Sequence, residues 1–250
     1  EQTQEQTLEQ QAPEQTQEQT QEQTLEQQAP EQTQEQNVQD NQKQTICTVA
    51  NLTLARNKRE LFAGLSFSIQ AGQVLGIVGP SGIGKSSVGD ALCGLLKAKS
   101  GSITWHLPER KVPQILKLYQ DPISSFAPNV KLAILLQDVI NRHQLNASLI
   151  PELLKVLQLK EELLERTANQ VSGGELQRLA ILRVLLFEPK VIFADEITSR
   201  LDPLTQREIL DFLIRSCKQR NCAVIIVSHE QGLIDYYCQE VVNLQNYVTA

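Results

Sequence analysis

Gly79-Pro80-Ser81-Gly82-Ile83-Gly84-Lys85-Ser86 constrains this chain more than any other stretch: it reads G-x-x-x-x-G-K-S, with Ser87 next. Before it runs Val74-Leu75-Gly76-Ile77-Val78, an apolar, β-branched run that predicts a buried strand. After it, from Ser87 to Lys97, the apolar residues Val88, Ala91, Leu92, Leu95 and Leu96 have helical spacing. A strand, a glycine loop and a helix in this order predict an α/β domain.

The pattern is that of a phosphate-binding P-loop. Its glycines accept backbone dihedrals that a Cβ resists, so successive N–H groups can curl around an anion. The following helix aims free N–H groups and its positive dipole end at the same place. Lys85 is expected to supply a point charge for the β- and γ-phosphates, and the Ser86 hydroxyl to ligate Mg²⁺. A glycine-rich loop that merely turns the chain is the plain alternative; Lys-Ser and the flanking elements argue against it.

The chain has 250 residues and a formal charge of −6, and that charge misleads. Residues 1–40 hold nine Glu and Asp40 with no Lys or Arg; without those ten, 19 acidic face 23 basic residues, a body of +4. Residues 1–17 repeat identically as 18–34, with Leu and Ala as the apolar side chains of each copy. Such a segment cannot offset the entropy of ordering, so 1–44 is expected to be a disordered tail and 45–250 one domain. No apolar run approaches the ~18 residues of a membrane span. Five cysteines, at 47, 93, 217, 222 and 238, form no C-x-x-C pair and read as thiols of a cytosolic core.

Along the body, Ile46–Leu54 and Leu65–Ile69 predict strands around a charged turn at Arg56–Glu60. Ser102–Trp105 and Ile115–Tyr119 predict two more. From Gln120 to about Gln170 the pattern is helical: Lys131–Asn141, Pro151–Leu157 and Glu161–Arg166. Val191–Ala194 and Ala223–Val227 are strands, the latter apolar throughout and so buried on both faces. Lys85 and Asp195 stand 110 positions apart, whereas a simple βαβ unit needs about 30 residues. The helical block near 121–172 is therefore an insertion.

The strand Val191–Ala194 ends in Asp195-Glu196, a Walker B pattern. Asp195 is expected to hold Mg²⁺ through a water, opposite Ser86, and Glu196 to act as general base on the attacking water. Alone, two carboxylates at a strand end are commonly just solvated; with a P-loop upstream they gain a purpose. Val171-Ser172-Gly173-Gly174-Glu175-Leu176-Gln177-Arg178 precedes a periodic helix from Leu179. Ser172 is a natural N-cap and the two glycines leave bare N–H groups, a second anion site.

Ser-Gly-Gly-Glu-x-Gln-Arg resembles the signature of ATP-binding cassette (ABC) ATPases. Over roughly residues 46–244 the family's other motifs follow in order. The resemblance implies a P-loop NTPase (RecA-like) core with an antiparallel β subdomain and an inserted α-helical subdomain. It implies ATP and Mg²⁺, and two cassettes closing head to tail so that Ser172, Gly173, Gly174 and Glu175 cap the nucleotide of the other P-loop. Gln120 resembles the glutamine that senses Mg²⁺ and the membrane partner. Ser199-Arg200-Leu201-Asp202 resembles the loop across the dimer interface, and His229 the switch histidine that contacts the γ-phosphate and orients Glu196. The aromatic residue that usually stacks on adenine is missing; its position falls near Arg56, whose guanidinium can stack instead.

Gln120-Asp121-Pro122-Ile123-Ser124-Ser125 is similar to the run of the peptide and nickel importer branch. Only 21 residues follow His229, as in the shorter ATPases of nickel and metal-chelate importers. The branch implies membrane permease subunits, a second ATPase subunit, indirectly a substrate-binding protein, no nucleic acid, and a peripheral place on the cytoplasmic face of the inner membrane. The alternative is a soluble ABC ATPase of a metabolic or nucleic-acid-associated complex.

Overall fold

The computed structural model describes residues 44–248 apart from 58 and 200. The repeat tail and Arg200 of the Asp202 loop lie outside the described residues. Two sheets form the frame. β1 (Thr45–Arg56) pairs antiparallel with β2 (Arg59–Gln70) and with β4 (Ser100–Trp105). β3 (Val74–Val78), β5 (Ile115–Leu118), β6 (Val191–Asp195), β7 (Ala223–Val227) and β8 (Glu240–Asn243) form a parallel sheet in the order β5-β6-β7-β3-β8.

The inner strands β3, β6 and β7 are buried on both faces, their side chains alternating between two cores, while the edge strands β5 and β8 are partly exposed. Val74, Ile192, Ala194, Val224 and Ile226 join one core, together with Leu136, Leu153, Leu179 and Leu213 of the helices. Leu75, Ile77, Val191, Phe193, Ile225 and Val227 join the other, together with Leu52, Phe67 and Ile69 of the antiparallel sheet. One sheet thus separates a helical layer from a layer of the antiparallel strands and the helix at Lys85–Leu92, and its ends carry the loops.

The inserted block holds α2 (Leu132–His143) and α3 (Ile150–Val156), followed by 3₁₀ turns at Glu161–Glu165 and Ala168–Gln170. In α2, Leu132, Leu136 and Ile140 are buried at a spacing of four, so one stripe faces the core. Gln144, left-handed at φ 53, ends it. α4 (Gly173–Leu185), α5 (Pro203–Gln219) and α6 (Gln231–Tyr237) complete the helical side. Among the described residues no helix is long and apolar enough to cross a membrane.

Several boundaries differ from the sequence reading. The charged stretch at 56–60 is mostly strand: Arg56 pairs with Arg59, Ala55 with Glu60, and only a tight turn opening at Asn57, φ 52, intervenes. The ladder extends the hairpin while the charged side chains of Arg56 and Arg59 stay exposed. The P-loop helix, α1 (Lys85–Leu92), stops well short of Lys97, because Gly94 turns left-handed at φ 73 and Leu95 is left exposed. The helix after Ser172 starts at Gly173 itself, six residues before the apolar periodicity shows. The Glu161 segment is a 3₁₀ turn rather than an α-helix.

The five cysteines are free, with Cys47, Cys217 and Cys222 buried. Burial pushes the Cys47 thiol up to about 12 and the Cys93 thiol up to about 11. Both stay protonated and act as small apolar packing groups.

Candidate functional site

β3 delivers the chain into the glycine loop, and α1 takes it out. Gly84 is the N-cap of α1 at φ 112, and a Cβ there would meet Leu61 and Phe62 at 3.1 Å. No side chain caps this helix, so the first-turn N–H groups point outward unpaired by a cap. Beside them lies a cavity of about 360 Å³ lined by Arg56, Leu61, Ser81, Gly82, Gly84, Lys85, Ser86, Ser87, Gln120, Asp195 and Glu196.

Lys85 is 5% exposed and folds back over the loop, donating to the carbonyls of Gly79 (2.9 Å) and Pro80 (3.2 Å). Burial lowers its pKa, and the charges of Glu196 and then Asp195 oppose that shift. Ser86 Oγ donates to Asp195 Oδ1 at 3.0 Å, so the two side chains expected on one metal are adjacent. Asp195 closes β6, every residue of which is buried.

Glu196 then takes φ 51, a left-handed conformation that a residue with a Cβ adopts at a cost. Its N–H bonds to the Val227 carbonyl of β7 at 3.1 Å, which anchors the turn. The turn swings the carboxylate to the cavity. There Oε1 lies 2.7 Å from His229 Nε2 and 3.9 Å from Lys85 Nζ, and Oε2 accepts from Gln120 Nε2 at 3.4 Å. An imidazole nitrogen so close to a carboxylate oxygen carries the proton, so Nε2–H donates to Glu196. Gln120 Nε2 also donates to Ser199 Oγ at 3.0 Å, joining two of the motif loops.

The parallel ladder explains this gathering. Asp195 stands opposite Val227, so residues 196 and 228–229 leave neighbouring strands at one level. β5 lies on the other side of β6, with Leu118 opposite Ala194, so Gln120 leaves at that level too.

Ser172, Gly173, Gly174, Glu175 and Asp202 do not line this cavity. Ser172 caps α4 through a reciprocal box: its Oγ accepts from Glu175 N at 3.2 Å, and Glu175 Oε2 accepts from Ser172 N at 2.9 Å. The Ser172 N–H and, second, the Ser172 hydroxyl, which donates to Glu175 Oε2 at 2.8 Å, hold the Glu175 carboxyl below its usual value of 4.5. Asp202 caps α5, accepting from Thr205 N at 3.1 Å. Arg56 stands at the cavity edge, more than half exposed, with Nη2 3.6 Å from Asp90 Oδ2.

Two charged residues escaped the sequence reading. Lys117 of β5 reaches Asp195 Oδ2 at 2.9 Å and Asp90 Oδ1 at 2.8 Å, and Asp90 projects from α1. The one signal was a lysine inside an otherwise apolar strand. Burial opposes the Lys117 charge, and the bonds to Asp90 and Asp195 more than offset it, raising its pKa above the usual value.

Comparison with known proteins identifies the family and the fold. The ABC transporter family matches residues 62–199, more than half of the chain. The oligopeptide transport ATP-binding protein OppF of Haemophilus influenzae is 29% identical over 230 residues, which cover 80% of this chain and 69% of that protein. The nickel import ATP-binding protein NikE of Escherichia coli is 29% identical over 198 residues, 73% of this chain and 74% of that one. Among solved structures, cbiO1 of Clostridium perfringens, part of the ABC transporter complex cbiONQ, superposes with a TM-score of 0.68. It is 25% identical and covers 80% of this chain and 84% of its own. The family match over more than half of the chain settles the membership: the chain belongs to the ABC transporter family, as an ATP-binding cassette.

Proposed function

We propose that this chain is the ATP-hydrolysing subunit of an importer for peptides, nickel or metal chelates. One observation carries the hydrolytic part: Ser86 with Asp195, and Glu196 with His229, meet around the bare N-terminus of α1 beside Lys85. The likeness to OppF and NikE supports the importer part.

The donors fit Mg²⁺. A hydroxyl, a carboxylate and a side-chain amide are hard oxygen ligands, the kind this ion selects. Ser86, Asp195 and Gln120 are the residues assigned to it; bound there, it neutralises phosphate charge. The loop N–H groups from Gly79 to Ser87 bind the phosphates, and Lys85 sets its charge against them. Glu196 accepts a proton from the attacking water. His229, donating to Glu196, keeps the carboxylate aimed toward that water. Arg56 is the side chain assigned to the base.

Ser172 to Glu175 and Asp202 stand clear of the cavity, in keeping with a role toward a second cassette across a shared interface. ATP then binds the closed pair more tightly than the open one, and hydrolysis reverses the preference. Permease subunits engage the Gln120 side of the helical block, and a substrate-binding protein acts through them at the membrane. The chain itself sits peripherally on the cytoplasmic face.

The test joins two measurements. Phosphate release by the wild type should require Mg²⁺ and fall in the Glu196→Gln variant. Affinity capture of the tagged chain from detergent-solubilised membranes should recover permease subunits and a second cassette. Capture of soluble enzymes alone would move the reading to a non-transport ATPase.

A further inference from the structure

Lys117 is a charge set in an apolar strand, between Leu116 and Leu118. Its side chain is 5% exposed. Nζ donates to Asp90 Oδ1 (2.8 Å), to Asp195 Oδ2 (2.9 Å) and to the Ser86 carbonyl (3.1 Å). These three bonds use every donor of an ammonium. All three acceptors belong to elements that frame the cavity: Ser86 and Asp90 to α1, and Asp195 to β6.

Asp195 is consequently held at both oxygens, Oδ1 by Ser86 and Oδ2 by Lys117. Ion pairs at the cavity join three cations, Arg56, Lys85 and Lys117, to three carboxylates, Asp90, Asp195 and Glu196. Three cations against three carboxylates leave this set with no net charge. A divalent cation approaching Asp195 meets an ammonium on the same carboxylate, and only the phosphates of a nucleotide tip the balance toward it.

We propose that Lys117 is a positioning residue that orients Asp195 and makes divalent-cation binding at that carboxylate conditional on bound nucleotide. The inference rests on the reading of Asp195 as the metal carboxylate of an ATPase. Removing the ammonium leaves the set at −1, with Asp90 and Asp195 facing the space it occupied.

The test is Mn²⁺ binding to the nucleotide-free full chain, followed by electron paramagnetic resonance, since Mn²⁺ takes the same oxygen donors. Lys117→Met should bind Mn²⁺ about tenfold tighter than the wild type, the scale of one nearby charge. Lys117→Arg, which keeps the charge, should stay within about twofold of the wild type. K117M/D195N should lose the gain. A Lys117→Met affinity within about twofold of the wild type would overturn the inference, and so would a gain that survives Asp195→Asn.

If circular dichroism shows Lys117→Met unfolded, K117M/D90N carries the test, because it removes the ammonium together with its second carboxylate. There Mn²⁺ should bind at least about threefold tighter, and an unchanged affinity overturns the proposal. ATP hydrolysis by the wild type, measured in parallel, separates two failures. A wild type that does not hydrolyse ATP sinks the ATPase reading and this inference with it. A hydrolysing wild type with unmoved Mn²⁺ affinities in the variants sinks the role of Lys117 alone.

Discussion

His229 Nε2 lies 2.7 Å from Glu196 Oε1, and the contact exists because β6 and β7 are neighbours in register. Glu196→Gln keeps the shape and removes the base. Phosphate release should fall by roughly 10²–10⁴, the usual contribution of a general base, while nucleotide binding persists. Size-exclusion chromatography with ATP should show a trapped dimer. His229→Ala should also lower the rate, through a carboxylate no longer held. A Glu196→Gln variant that turns over normally would remove this residue from the base role.

Gly89 sits inside α1, where a Cβ would stand 2.5 Å from the ring of Phe193. Phe193 is fully buried in β6 and has no room to retreat. Gly89→Ala gains helix propensity, about 1 kcal/mol, yet overpacks a closed core. The net expectation is a loss of about 1–3 kcal/mol in denaturant unfolding. A more stable Gly89→Ala protein would show that the sheet can shift away from α1.

The Ser172–Glu175 box gives a pH dependence with a definite sign. The Glu175 carboxyl is depressed below 4.5 in the folded chain, first by the Ser172 backbone bond and then by the hydroxyl bond. Its contribution is complete above 4.5 and is lost as pH falls through the folded value. Glu175→Gln should therefore be less stable than the wild type at neutral pH, with the gap closing below pH 4.5. Ser172→Ala, which removes the cap itself, should cost about 0.5–2 kcal/mol. Thermal melts from pH 3 to 7 on both variants (about that range suffices) test the pair of expectations.

Arg56 is assigned to the base without an aromatic neighbour. Arg56→Ala should raise the KM for ATP about two- to fivefold at little change in kcat, the worth of an exposed cation–π contact. Arg56→Tyr should restore it. Equal KM values for all three proteins would leave the base unrecognised by this position.

The local pieces of the site were legible in the sequence because they are set by neighbours along the chain. The glycine pattern before α1, Ser172 ahead of its helix and the carboxylates after Val191–Ala194 all sit where the sequence puts them. Element limits were less legible. β2 begins at Arg59 through pairing with β1, and no residue within 59–64 announces that partner. Asp90 and Lys117 were missed for the same reason. They meet across α1 and β5, and neither shows its counter-ion to its own neighbours in sequence.

Sequence alone determined the chemistry that could be offered: a loop able to wrap phosphates, an uncapped helix end, twin carboxylates, a histidine after an apolar strand. These follow from backbone freedom, capping and alternation, which act over a few residues. Tertiary structure decided which of those groups meet. The order β5-β6-β7-β3-β8 carries Gln120, Glu196 and His229 to one level, and the packing of α1 on the sheet brings Lys117 between Asp90 and Asp195. Strand order and register are chosen by burial on both faces of a sheet at once, a condition that no single stretch of sequence contains.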